Sequence, residues 1–208
     1  MPLINADGYE FTRSKSRNRL WRKTRKPYKN CIGADPNRNF DYKFGFSGTS
    51  TDECSNKYQG PEPFSEPETA VLRDVLKTYN GRISFYLSLH SHGEYLLYPW
   101  GYDKIDASNK NELEDVSEAG SQAIFELSGR KYKVGDMANT LYPASGTSQD
   151  FAYHEGARIS ITMELPSGGP AKFNPPPKDI RKYAEESWIG IRAMASKVIE
   201  MYSKKSME

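Results

Sequence analysis

The chain has three histidines, His90, His92 and His154. His90 follows Phe85-Tyr86-Leu87-Ser88-Leu89, which places an imidazole at the C-terminal end of an apolar strand. In open α/β sheets that edge is where ligands bind. A lone histidine there is open to two readings, a hydrogen-bonding residue of the fold or a zinc ligand. His92 stands two residues on, and Glu94 two further, so a continuing strand would turn all three side chains to one face. Gly93, between them, is a break point for such a strand. Glu164 closes a second run, Ile159-Ser160-Ile161-Thr162-Met163, again at a strand's C-terminal end. A carboxylate at the mouth of a sheet can take a proton from water, or it can simply close a surface edge.

The elements that would position these groups alternate. A first-turn proline at Pro67 after Ser65-Glu66, with Ala70, Val71, Val75 and Leu76 at helical spacing, predicts a helix that Gly81 ends. A strand over 83–89 is apolar on both faces, as in a sheet covered on both sides. A second short strand follows at 95–98. A helix over 108–130 has its stripe at Leu113, Val116, Ala119, Ala123 and Leu127. A third strand spans 157–165, and a long helix over 177–203 carries Tyr183, Trp188, Ile191, Met194 and Val198. This alternation predicts one α/β domain over 1–208, a mixed, twisted sheet with helices on both faces.

Residues 12–30 hold nine Lys or Arg and no acid, a solvated loop or anion site rather than a nucleic-acid surface. Net charge is only +2, so no global field selects a partner. No apolar run reaches the ~20 residues of a membrane span. Residues 31–65 read as irregular, and a loop that long must build a site or be stapled. Cys31 and Cys54 lie in that polar, turn-rich stretch, where a bridge and free thiols are both open.

Asn18-Arg19-Leu20-Trp21-Arg22-Lys23, Asp35-Pro36-Asn37-Arg38-Asn39-Phe40, Leu89-His90-Ser91, Tyr98-Pro99-Trp100-Gly101-Tyr102 and Tyr142-Pro143-Ala144-Ser145-Gly146 follow one another along the chain. With Thr162-Met163-Glu164-Leu165, this ordered set closely resembles the pancreatic-type A/B zinc metallocarboxypeptidases. The resemblance implies a secreted, monomeric metallo-exopeptidase that removes C-terminal residues from peptides and proteins with a free carboxylate. Within it, His90 is similar to a zinc ligand and Glu164 to the base that activates water. Arg22 matches the arginine that stabilises the oxyanion. Asn37 and Arg38 match the pair that grips the substrate's terminal carboxylate, and Tyr142 the tyrosine that closes over it. Gln149 stands where the family sets side-chain preference, with Leu97, Gly101, Met137, Ala144, Thr147 and Thr162 around it. A neutral amide there points to neutral C-terminal residues. The family also bridges cysteines at positions matching Cys31 and Cys54.

The match has a gap. The family's other two zinc ligands come from a His-x-x-Glu motif upstream of the segment resembling Asn18–Lys23. Here Gly93, Tyr95 and Ala157 stand three places after the three histidines. The resemblance therefore implies the C-terminal two-thirds of a catalytic domain, with N-terminal strands missing. One zinc ligand of three is present, so hydrolysis is not expected from the chain as it stands. A non-catalytic binder of peptide C-termini is the alternative, and a polyanion binder acting through 12–30 a third.

Overall fold

The computed structural model describes residues 1, 3–169 and 171–205. Helix α1 (Ala6–Ser14) is capped by Asn5, whose side chain accepts from Gly8 N. An irregular stretch leads to α2 (Pro67–Thr78), where Pro67 sits at the first helical position, whose N–H is unpaired in any helix. Strands β1 (Phe85–Ser91) and β2 (Tyr95–Tyr98) follow, then α3 (Lys110–Ser128). The chain continues through β3 (Lys133–Asp136), α4 (Met137–Thr140), α5 (Ser148–His154) and β4 (Ile159–Leu165), and α6 (Ile180–Lys205) closes it.

The sheet order is β1-β4-β2-β3. β4 runs parallel to β1 and antiparallel to β2, and β2 runs parallel to β3, so the sheet is mixed. Alternation along β4 sorts the two sides. Ile159, Ile161 and Met163 enter the larger core with Leu113, Val116 and Ile124 of α3 and Met194 and Val198 of α6. Ser160 faces the other way, and its hydroxyl donates to the carbonyl of Gln149 in α5. There a smaller core joins Phe40, Leu72 and Leu76 of α2, and Phe151 and Ala152 of α5. Helices thus cover both faces.

Four expectations need correction. β1 is the edge strand among the described residues, pairing with β4, and it is only half-buried, with Leu89 53% exposed. Trp188 is 59% exposed, because Met194 and Val198 carry the buried face of α6. The buried stripe of α3 runs through Leu113, Val116, Ser117, Gly120, Ser121 and Ile124, leaving Leu127 out. The cause is close helix packing: a Cβ on Gly120 would lie 2.7 Å from Met194 Cγ. Such an approach selects small residues over the larger ones that periodicity favours. Likewise α2 buries Thr69, Leu72 and Leu76 and exposes Val71 and Val75.

Candidate active site

β1 and β4 end together. In their parallel register His90 stands directly beside Glu164, so the two groups singled out from separate runs become neighbours at one edge of the sheet. His90 Nε2 is 2.8 Å from Ser88 Oγ. Burial first, then the positive charge of Arg22, push His90 down to about 4, so its imidazole is neutral at neutral pH. Glu164 carries a buried carboxyl oxygen, Oε2, with no hydrogen-bond partner among the described residues. Burial raises this carboxyl to about 7, and Arg22 pulls the other way. A carboxyl with that value is half ionised near neutral pH, the condition in which it can accept and return a proton.

Arg22 is held from below. Its Nε and Nη2 both reach Asp35 Oδ2 at 2.8 Å, while much of its side chain stays exposed. Asp35 opens a tight turn over Pro36–Arg38, in which Pro36 supplies the φ a helical first position needs. Asp35 Oδ1 accepts from Asn37 N at 3.0 Å. The Asn37 side-chain carbonyl accepts from Ser148 N at 2.9 Å, which ties the turn to the start of α5 and leaves the amide NH₂ on the other side. Arg38 is fully buried, donating from Nε to Gly48 O at 2.8 Å and from Nη1 to Asn37 O at 2.7 Å. Its charge also bears on His90. Tyr142 is exposed and lies within electrostatic reach of Arg22.

His90, Glu164, Arg22, Asn37, Arg38 and Tyr142 are therefore brought to one neighbourhood from five separate stretches of chain. Asn37 and His90 also line a groove of about 640 Å³, together with Phe85, Leu87, Leu72 and Leu76. Gln149 is 1% exposed, and neither of its amide atoms finds a partner among the described residues. Leu97, Met137 and Ala144 pack together, and Gly101 N donates to Asp150 in the same region.

Cys31 and Cys54 form a disulfide. Across it the 31–65 stretch is knitted by a residue to which the sequence reading assigned no role. Asn39 Nδ2 donates to Gln59 O, Glu62 O and Ser65 Oγ, and its Oδ1 accepts from Glu66 N and Thr69 Oγ1. Asp35 is the other such residue. Both stand in Asp-Pro-Asn-Arg-Asn, and an acid or amide in a proline-containing turn is so ordinary a signal that nothing local marks it out.

The arrangement of His90, His92 and Glu94 as three ligands on one face is overturned. β1 ends at Ser91, His92 packs edge-on against Phe173, and Glu94 pairs with Arg130 at 2.5 Å. Among the described residues no group of three His, Cys, Asp or Glu is placed to hold a metal ion. Most of the basic stretch is engaged internally. Arg25 stacks on Phe11, Lys23 reaches Glu53 O, Lys26 reaches Ser65 O and Arg19 reaches Phe173 O.

Residues 1–190 match the profile of the family described as zinc carboxypeptidase. Carboxypeptidase A4 of Mus musculus is 42% identical over 200 residues, covering 95% of this chain and 47% of that protein. Carboxypeptidase B of Homo sapiens is 40% identical over 202 residues, with 96% and 48% covered. Among solved structures, carboxypeptidase A from Helicoverpa armigera superposes with a TM-score of 0.90 at 34% identity, covering 98% of this chain and 51% of that one. Bovine thrombin-activatable fibrinolysis inhibitor, in complex with tick carboxypeptidase inhibitor, gives 0.91 at 33%, covering 96% and 68%. The chain spans about half the length of the curated relatives it matches.

Proposed function

The chain belongs to the zinc carboxypeptidase family, and on that premise we propose that residues 1–208 carry the chain-end-binding and proton-transfer part of a metallocarboxypeptidase catalytic domain. The observation that carries this reading is the pairing of His90 with Glu164 beside Arg22 and the Asn37–Arg38 turn. In the complete domain Glu164 would act as general base toward a water molecule, from a buried carboxyl oxygen that has no hydrogen-bond partner among the described residues. Arg22 faces the carbonyl oxygen that becomes negative as the tetrahedral intermediate forms. The Asn37 NH₂ and the Arg38 charge receive the substrate's terminal carboxylate, and Tyr142 covers it. Recognition of a free carboxylate excludes internal peptide bonds, which is what makes an exopeptidase. The buried Gln149 supports neutral C-terminal side chains over charged ones, because an amide cannot neutralise a desolvated charge. The Cys31–Cys54 bridge supports an extracellular, oxidising setting.

Zinc is the metal of this family, and three protein ligands are the usual minimum of a catalytic zinc site. The donors present do not meet it. Among the described residues His90 belongs to no group of three His, Cys, Asp or Glu, and the largest charge effect on it comes from the cation Arg22. We therefore derive no step through the metal, and the 208-residue chain is expected to bind chain ends without hydrolysing them. Equilibrium dialysis of the folded chain against zinc should show no stoichiometric binding in the submicromolar range. A stoichiometric, tightly held ion would overturn this account of the donor set.

The reading as a whole is tested by titrating the chain with acetyl-Ala-Ala-Leu and with its C-terminal amide. The free acid should bind at least about tenfold tighter, since the charge-assisted hydrogen bonds to its carboxylate are the ones the amide lacks. Equal binding of acid and amide would leave Asn37 and Arg38 with nothing to recognise.

A further inference from the structure

We infer that Arg130 is a positioning residue for Glu164, acting through Glu94, whose left-handed backbone it holds against the end of β4. The role of Glu164 as base rests on the function proposed above, whereas the series of contacts stands on geometry alone. β1 and β2 flank β4, and the link between them, residues 92–94, spans β4 at its C-terminal end. Two main-chain bonds fasten that link. Gly93 N donates to Leu165 O at 3.1 Å, and Glu94 N donates to Glu164 O at 3.0 Å. On the side toward β3, the Glu94 carbonyl accepts from Lys133 N at 2.9 Å. Glu94 makes these bonds at a φ of 62°, in the left-handed region that glycine enters freely and a residue with a Cβ enters at a cost. Its side chain offsets that cost. Glu94 Oε1 accepts from Arg130 Nη1 at 2.5 Å, and Arg130 Nε donates to Glu186 Oε2 at 2.8 Å. Glu186 is 1% exposed on α6.

The planar guanidinium presents Nε and Nη1 in fixed directions, so one side chain can bond two carboxylates at once. The two ends of this bridge differ. Glu186 is the fixed end, because α6 is anchored in the larger core by Met194 and Val198. Arg130 is steadied there by the Tyr183 ring, whose centroid lies 5.1 Å from the guanidinium carbon. Glu94 is the end that relaxes when the bridge is cut. Without its ion pair the residue is free to leave the left-handed region, and the N–H held to Glu164 O leaves with it. The C-terminal end of β4 would then be aligned by β1 alone. A general base tolerates little displacement, since it must stay within hydrogen-bond reach of the proton it takes.

The test uses the 208-residue chain and its Glu94→Ala, Glu94→Gly and Arg130→Ala variants, with two NMR readouts. One is amide hydrogen exchange at residues 93 and 94, and the other is the carbonyl ¹³C shift of Glu164. Glu94→Ala keeps the unfavourable φ and removes the ion pair, so both amides should exchange at least about tenfold faster than in the parent. The Glu164 carbonyl signal should move upfield as its hydrogen bond weakens. Glu94→Gly removes the ion pair and the strain together, so exchange should return to within about threefold of the parent, with the carbonyl shift restored. Glycine is the more flexible residue, so a general loss of rigidity would give the reverse order. Arg130→Ala should match Glu94→Ala at these amides. Parental protection in Glu94→Ala, or in a folded Arg130→Ala chain, overturns the proposal, and so does a Glu94→Gly chain that exchanges as fast as Glu94→Ala. If the loss of Glu186's partner keeps Arg130→Ala from folding, the two Glu94 variants decide. The preference for acetyl-Ala-Ala-Leu over its amide is a separate measurement. Its absence in the parent defeats the chain-end reading alone, and the exchange rates still report whether Arg130 holds Glu94 on Glu164.

Discussion

Glu164→Gln stabilises the chain at pH 8 by on the order of 3 kcal/mol relative to its effect at pH 4. Glu164 has its folded-state value raised from 4.5 to about 7, chiefly by burial. Between those values the folded chain holds a proton that the unfolded chain has released. Stability conferred by the protonated form is thus fully present below pH 4.5 and is lost as pH rises through 7. Glutamine has the shape of the protonated acid and does not titrate, so the variant escapes that loss.

The sign is separable from its neighbours. His90, depressed from 6.5 to about 4, works in the opposite sense, and its contribution grows as pH rises through that interval. Asp150, raised from 3.8 to about 7 by burial, works in the same sense as Glu164. Both remain in the variant, so the difference between the two chains isolates Glu164. Urea unfolding at intervals from pH 4 to pH 8 measures it. A variant whose stability relative to the parent does not rise from pH 4 to pH 8 would remove the buried, raised carboxyl from the account. A base poised near neutrality would go with it.

The strand ends were legible before the structure because burial and chemistry write in different alphabets. Apolar runs such as Phe85–Leu89 and Ile159–Met163 end abruptly in His90 and Glu164, and nothing but the fold's edge explains the change. That the two ends adjoin required β4 to pair with β1 in register, which no local pattern encodes. β3 was invisible for a related reason. Lys133-Val134-Gly135-Asp136 has no periodic apolar face, and it is a strand because β2 offers it a partner. Helix existence was easier to read than helix phase. Trp188, Leu127 and Val71 were expected inside on hydrophobicity, yet α3 and α6 meet at Gly120 and Gly190, where a missing side chain admits the neighbour, and α2 turns inward Thr69, whose hydroxyl donates to Asn39 Oδ1. In the site, the polar residues could be named one at a time, but not the buried acid that hydrogen-bonds two of them. Asp35 acts through distances to groups 13 and 2 residues away, in opposite directions along the chain.

The second large effect belongs to the disulfide. Replacing both Cys31 and Cys54 by serine should cost about 3 kcal/mol, the loop-closure entropy that a crosslink across 23 residues removes from the unfolded chain. The native loop contains few aliphatic residues, and its order comes from turns, from hydrogen bonds to Asn39 and from the burial of Ala34 and Phe40. The loss should therefore not stay confined to global stability. The bridged loop contains Asp35, Asn37 and Arg38, the Gly48 carbonyl that receives Arg38 Nε, and Glu53, whose carbonyl receives Lys23 Nζ. Opening it loosens the clamp at both ends of the guanidinium. The serine variant should accordingly show a lowered urea midpoint, and a weaker preference for a free-acid peptide even at urea concentrations where it remains folded. Protein made through an oxidising pathway should yield no alkylatable thiol. Two free thiols in such protein, or a midpoint shift worth less than about 0.5 kcal/mol, would show that the loop is held by its hydrogen bonds and packing alone. The extracellular setting inferred from the bridge would then lose its support.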